Sequence, residues 1–236
     1  MPAPPGAEIQ ALFGEVAPRY DRLNRILSLG LDQRWRRRAL EQLGLKPGAR
    51  ILDLCCGTGD LTLAGARAGY RVTGADFTGP MLRIASGKFG ASAVRPDGLI
   101  QADAQALPFA DAQFDGVTVA FGLRNVVDPC LALAECRRVL RPGGRLAVLE
   151  FFRVPNPAWR SLFRFYFHGI MPWAARAAGS PRPQAYRYLP ASVDDFISPD
   201  GFRAWMRDAG FGGIGTTSFS GGVALLLTGS AGMASA

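Results

Sequence analysis

The chain has 236 residues, 48% of them hydrophobic, with 27 Lys and Arg against 19 Asp and Glu, four cysteines and one histidine. That size and apolar content exclude a disordered chain, and four cysteines without a CxxC pair argue against a zinc module or disulfide scaffold, so a reducing cytoplasm is expected. The formal charge of +8 suits an anionic surface or ligand, and neither the opening MPAPPGAEIQ nor any later stretch reads as an export signal or a membrane span.

Residues 8 to 45 carry apolar residues at mixed spacings of three and four, with breaks near Pro18 and Gly30, and predict a helical N-terminal cap. From residue 50 onward, short apolar runs alternate with amphipathic stretches. RILDL at 50–54 precedes a helix over 60–68, and RVTGAD at 71–76 precedes a helix over 79–88. GLIQAD at 98–103 follows, then FDGVTVAF at 114–121 with a helix over 129–140, then GRLAVLEF at 144–151. This order predicts right-handed crossovers and a mostly parallel Rossmann-like α/β sheet covered on both faces.

Residues 151–193 break the rhythm. They hold six arginines, no Asp or Glu and many aromatics, and they read as an insertion or lid. SPDGFRAWMRDAGF then predicts a helix with Ser198 as N-cap and Pro199 at its first position. Strands over 214–219 and 222–229, joined at Gly221 and Gly222, predict a hairpin that completes seven strands and makes the last one antiparallel. The division expected is one domain over 1–236, with a cap at 8–45, a cofactor-binding core at 50–150, the insertion, and a C-terminal helix and hairpin at 198–229.

The chemistry gathers where strands end. In ILDLCCGTGDL, the turn Gly57-Thr58-Gly59 follows the first strand, where open parallel sheets bind ligands and where missing side chains admit a close backbone approach. A dinucleotide site would want a further glycine three residues later, but Thr62 stands there, which weakens the pyrophosphate reading. Asp76 ends the second strand, placed to accept both hydroxyls of a ribose, and Asp103 ends the third, placed for an adenine amino group. Asp53 ends the first, able to face an ammonium or to orient the loop. Three acids at successive strand ends repel polyphosphate and suit a cationic nucleoside such as S-adenosylmethionine. Cys55 and Cys56 are expected to be small buried fillers.

With these residues in hand, the chain resembles the ubiquinone/menaquinone biosynthesis C-methyltransferases (UbiE/MenG family) among the class I methyltransferases, from about residue 13 to 229. The resemblance rests on YDRLNRILSLGLDQRW at 20–35, FGLRNVVD at 121–128, RVLRPGGRLAVLEF at 138–151 and YRYLPASV at 186–193. It implies cofactor contacts at Thr58, Asp76, and Asp103 with Ala104. Where the family often has a serine, Ala120 stands, so a hydroxyl contact is lost there. Leu23 and Asp32 replace the family's usual Met and His, and Phe152 its usual Ser.

The implied reaction carries the sulfonium methyl to a ring carbon of a polyprenylated quinol such as demethylmenaquinol. The ring becomes nucleophilic when a phenolic hydroxyl, which ordinarily titrates near ~10, loses its proton. Arg124 cannot be the base, because guanidinium stays protonated, but it can stabilise the phenolate or polarise a water that Asn125 fixes. A salt bridge to Asp128 or a capping contact is the plain structural alternative for Arg124. Tyr20 of the cap is expected to join the same network, and His168 is a weaker candidate base. The lipophilic substrate implies peripheral contact with anionic membrane at the inner face of the cell membrane, through the arginines and aromatics of 151–193. No nucleic-acid partner is expected, and a homodimer is left open. Methylation of another small molecule or of RNA, and a non-catalytic membrane-peripheral scaffold, are the alternatives.

Overall fold

The computed structural model describes residues 10, 13–15, 17, 20–154, 156, 161 and 192–232. The aromatic and basic segment expected to be a lid, including His168, therefore lies almost entirely outside the described residues. So does Pro18 in the cap.

The described cap includes the helices α1 (Tyr20–Leu27) and α2 (Leu31–Leu43). The break at Gly30 has a backbone cause: its φ of 76° is left-handed, which a glycine adopts without penalty. Trp35, Ala39, Leu40 and Leu43 recur at helical spacing along the buried face of α2. The α/β succession follows: β1 (Arg50–Leu54), α3 (Asp60–Arg67), β2 (Arg71–Asp76), α4 (Gly79–Gly90), β3 (Gly98–Gln101), β4 (Phe114–Ala120), α5 (Pro129–Val139) and β5 (Leu140–Phe151). The chain closes with α6 (Pro199–Asp208), β6 (Phe211–Phe219) and β7 (Ala224–Ala231).

Among the described residues, seven strands make one sheet in the order β3-β2-β1-β4-β5-β7-β6. The first five pair in parallel, and β7 is antiparallel to both of its neighbours. The hairpin thus inserts its second strand against β5 and leaves β6 at the edge. Composition accounts for this choice. β7 begins with the aliphatic run ALLL and is buried almost throughout, whereas β6, FGGIGTTSF, is glycine-rich and half exposed, as an edge strand can be.

Alternation along the central strands divides the core in two. Val117, Val119, Leu146, Val148, Leu225 and Leu227 face one side, with α5 and Phe202 and Met206 of α6. Ala147, Leu149, Ala224 and Leu226 face the other, beneath Trp35 and Leu40 of α2. Burial of such side chains stabilises the fold by roughly 1.5–3 kcal/mol each. Pro129 and Pro199 open α5 and α6, and the side chains of Asp128 and Ser198 accept from the first free N–H groups of those helices. Strand order reverses between β1 and β4, since β2 and β3 lie to one side and β5 to the other. A crevice opens outside the carboxyl ends of those two strands.

Candidate functional site

A cavity of about 290 Å³ occupies that crevice. Its floor is the β1 turn, where Gly57 holds φ 55° and Cys55 also lies in the left-handed region. A Cβ on Gly57 would sit 4.0 Å from Cε1 of Tyr20, so α1 roofs the turn directly. Asp76 and Asp103 stand on one wall with Phe77, Thr78, Met81 and Ala104. Ala120, Phe121, Gly122, Asn125 and Val126 form the opposite wall.

Asp76 organises the turn as well as facing the cavity. One of its oxygens accepts from the Gly57 N–H at 2.8 Å and the other from the Thr78 N–H at 2.8 Å. Burial raises its pKa against those two backbone bonds. Asp103 lies in the turn two residues beyond the end of β3, not at the strand end itself. It accepts from the N–H and Nε2 of Gln105, whose Oε1 in turn accepts from the Asp128 N–H at 3.1 Å. The two carboxylates are therefore held rigidly by backbone and amide donors, and each keeps lone-pair capacity for a ligand.

Several expected contacts are placed elsewhere. The Thr58 side chain is buried, and its hydroxyl donates to Asp21 of α1, so it is not part of the cavity wall. Gly59 is also off the wall, and its missing side chain serves packing: a Cβ there would lie 2.8 Å from the Phe89 ring of α4. Asp53 is 1% exposed and lies beneath the turn, accepting from the Thr62 hydroxyl at 2.6 Å and from Thr118 at 3.1 Å. Of its two expected roles, the geometry fits orienting the loop and does not bring it to a ligand's ammonium. Thr62, where a dinucleotide fold would have glycine, is thereby occupied with fixing Asp53. Cys56 is the expected buried filler, whereas Cys55 lies on the cavity wall. Burial pushes both thiols well above their ordinary value, so neither is a ready nucleophile.

Burial also pushes the Asp53 carboxyl from the ordinary 3.8 up to about 6, against the Thr62 bond, the charge of Arg36 and the Thr118 bond. The fold then holds a proton that the unfolded chain has released. Its contribution to stability is present in full below about pH 4 and is lost as pH rises through 6. Asp53→Asn should flatten the stability curve across that window in urea unfolding at a series of pH values. An unchanged slope would assign the proton to another group.

Arg124 belongs to a single helical turn, Leu123–Asn125, after β4. Its side chain is 6% exposed and makes an ion pair with Glu150 of β5, itself 0% exposed. The guanidinium also donates to the Phe121 carbonyl at 3.1 Å and to the Ser192 hydroxyl at 3.3 Å, and it lies over the Phe151 ring at 5.5 Å. The salt-bridge alternative held in kind but with a different acid, because Asp128 is engaged in capping α5. Arg124 is thus behind the cavity wall, while its neighbour Asn125 is on it. Tyr20 lines the cavity from α1 and packs edge-on against Phe13 at 6.0 Å.

The cap is held over the site by one ammonium between two acids. Lys88 Nζ of α4 is 2.5 Å from Asp21 of α1 and 2.6 Å from Asp60 at the start of α3. Gln33 of α2 donates to the same Asp60 at 3.1 Å. Burial would raise the Asp60 carboxyl, and the hydrogen bond and charge of Lys88 bring it below its ordinary value. These partners are partly solvated, so each pair stabilises docking by no more than about 1 kcal/mol. Lys88→Met should speed cofactor dissociation by about fivefold and increase amide exchange over 20–27, with Lys88→Arg restoring both. Unchanged exchange in Lys88→Met would show that α1 is held by packing and by the Thr58–Asp21 hydrogen bond, without need of the Lys88 bridge.

Sequence reasoning did not find Phe13, Cys55, Phe77, Met81 and Phe121 as wall residues. Phe77 was the most accessible of these, since an aromatic directly after a strand-ending acid emerges beside whatever that acid binds.

Comparison with known proteins places this geometry among relatives. A model of the "ubiE/COQ5 methyltransferase family" matches residues 5–231. A protein of Thermus thermophilus named demethylmenaquinone methyltransferase is 50% identical over 202 residues, covering 85% of this chain and 91% of its own. A Geobacter protein named ubiquinone/menaquinone biosynthesis C-methyltransferase UbiE is 41% identical, covering 95% and 96%. Among solved structures, a SAM-dependent methyltransferase from Aquifex aeolicus superposes with a TM-score of 0.63 at 17% identity, covering 89% and 97%. The [4+2]-cyclase SpnF superposes with a TM-score of 0.65 at 21% identity, covering 85% and 81%. The fold alone therefore does not select the chemistry.

Proposed function

The chain belongs to the ubiE/COQ5 methyltransferase family and is a methyltransferase of quinone biosynthesis, and from that premise we propose that it methylates a ring carbon of a demethylmenaquinol. The observation that carries the cofactor reading is the character of the cavity wall. Among the described residues it presents two carboxylates and no Lys, Arg or His. Such a wall disfavours a pyrophosphate and favours a nucleoside that carries positive charge.

The residues fit S-adenosylmethionine. Asp76 would accept the ribose hydroxyls and Asp103 the adenine amino group. Phe77 and Met81 would flank the base, and Gly57 would pass beneath the amino-acid portion without a Cβ to obstruct it. The bound cofactor supplies an electrophilic methyl on a sulfonium. Everything else is the protein's task. Tyr20 and Phe121 exclude water and confine the ring beside the Gly122 turn, so that the ring carbon faces that methyl in line. The phenolic proton must pass to water as the ring carbon attacks, and the ring C–H proton must leave afterwards to restore aromaticity while the phenolic oxygen takes a proton back, so that one proton net is released with the thioether product. Asn125 is the polar side chain on that wall suited to orient the phenolic oxygen or a water beside it. Arg124, joined to the wall through the Phe121 carbonyl and the turn backbone, is the positioning residue that holds Asn125 and Phe121 in place. Its own field is offset by Glu150, so Arg124 acts through the turn it holds and not by direct stabilisation of a phenolate.

Of the two relatives quoted, the more identical is named for demethylmenaquinone, which favours the naphthoquinol over the benzoquinol. Competition between the two demethylated quinols for limiting enzyme in detergent tests this. Preferential methylation of the naphthoquinol is expected, and preference for the benzoquinol would reverse the assignment.

A further inference from the structure

Large exposed aliphatic side chains are few among the described residues, and two of them stand together. Leu29 is 76% exposed and Leu31 is 38% exposed. They flank Gly30 in the tight turn between α1 and α2, and Leu29 itself has φ 53°. Arginines extend from this corner along both helices. Arg25 and Arg22 are exposed one and two turns before Leu29, and Arg34 and Arg38 are exposed one and two turns after Leu31, with Arg37 beside them. Helical spacing places Leu31, Arg34 and Arg38 on one exposed strip of α2, on the side away from Leu40 and Leu43, which are buried against the sheet. Among the described residues, only Arg38 of these five meets a carboxylate, that of Glu41.

An aliphatic apex flanked by guanidinium groups matches one kind of surface. Leucines enter the acyl boundary of a bilayer while arginines meet the phosphates above it, their stems lying along the interface. A second copy of the same face is a poor partner, because it would set the arginines of one chain against those of the other. We propose that the α1–α2 corner docks this protein on an anionic lipid bilayer. The purpose of docking rests on the quinol reading, since a prenylated substrate resides in the membrane. The same α1 that carries the corner contributes Tyr20 to the cavity wall, so docking there brings the site to the bilayer surface.

Flotation with vesicles of phosphatidylglycerol and phosphatidylcholine tests it, against phosphatidylcholine alone, at low salt and about 0.5 M salt. The wild type should float with the anionic vesicles at low salt and be released by high salt or by neutral lipid. Leu29→Ser/Leu31→Ser and Arg25→Glu/Arg34→Glu should each lower partitioning at least about tenfold. Both should keep the wild-type melting temperature and cofactor affinity. Wild-type protein that does not float, or variants that float as well as wild type, would overturn the proposal. So would a wild-type dimer in gel filtration that Leu29→Ser/Leu31→Ser splits without any change in flotation, because the leucines would then belong to a self-interface. Methyl transfer to a quinol lacking its tail, in free solution, separates the two readings. If no form of the protein methylates any quinol, the substrate assignment fails while the flotation result stands on its own.

Discussion

Asp76→Ala is expected to raise the dissociation constant for S-adenosylmethionine about a hundredfold or more, since hydrogen bonds to a charged group are worth about 1.5–3 kcal/mol each and two would be lost. The loss has a second source in the protein itself. Asp76 holds the N–H groups of Gly57 and Thr78, one on each oxygen, so its removal releases the turn that forms the cavity floor. Asp76→Asn should recover little, although it keeps the shape. An amide has a single acceptor atom, and its NH2 would be forced against either the Gly57 or the Thr78 donor. Calorimetric titration with S-adenosylhomocysteine reads the affinity. An Asn variant that binds like wild type would show that the ligand does not use both oxygens, and would remove the ribose assignment.

Arg124 carries the other large effect, and here stability and chemistry must be separated. Arg124→Met leaves Glu150, 0% exposed, as an unpaired buried charge, a change that costs about 3–5 kcal/mol. In a chain of this size that is a fall of roughly 6–20 °C in melting temperature. A drop in turnover in this single variant would therefore say little about catalysis. Adding Glu150→Leu removes the stranded carboxylate, and the double variant should regain most of the lost stability. Its kcat should nevertheless remain about a hundredfold low, because the turn bearing Asn125 is no longer tied to β5, while cofactor affinity should stay within about threefold of wild type. Recovery of kcat along with stability would confine the Arg124–Glu150 pair to a structural role.

The fold was legible where information is local. RILDL and RVTGAD coincide with β1 and β2 residue for residue, since each is an aliphatic run bounded by turn residues. Ser198 announces its helix by side-chain type, whereas Asp128, expected as an acid for Arg124, caps α5 instead. Asp76 and Asp103 were expected to converge on one crevice as strand-ending acids, and both line the cavity, Asp103 from the turn two residues past the end of β3. What escaped depends on partners distant in the chain. Nothing adjacent to Arg124 points to an acid 26 residues later, next to the end of an otherwise aliphatic run in β5. Thr58 reads as a ligand contact until α1 folds back and presents Asp21, and Gly59 reads as a ligand-approach glycine until Phe89 arrives from α4. Asp53 was ambiguous for the same reason, and the burial that decides it comes from Thr62 and Thr118 on separate elements.

The most direct test of C-methylation by this site is the position of the transferred methyl. The enzyme would be given S-adenosylmethionine with a deuterated, carbon-13 methyl group and reduced demethylmenaquinone in detergent, and the product analysed by carbon-13 NMR and mass spectrometry. The label is predicted on the ring carbon, with both phenolic oxygens unmethylated and with Asp76→Ala giving no labelled product at the same cofactor concentration. Label on a phenolic oxygen, or cofactor binding without label in the quinol, would contradict the account.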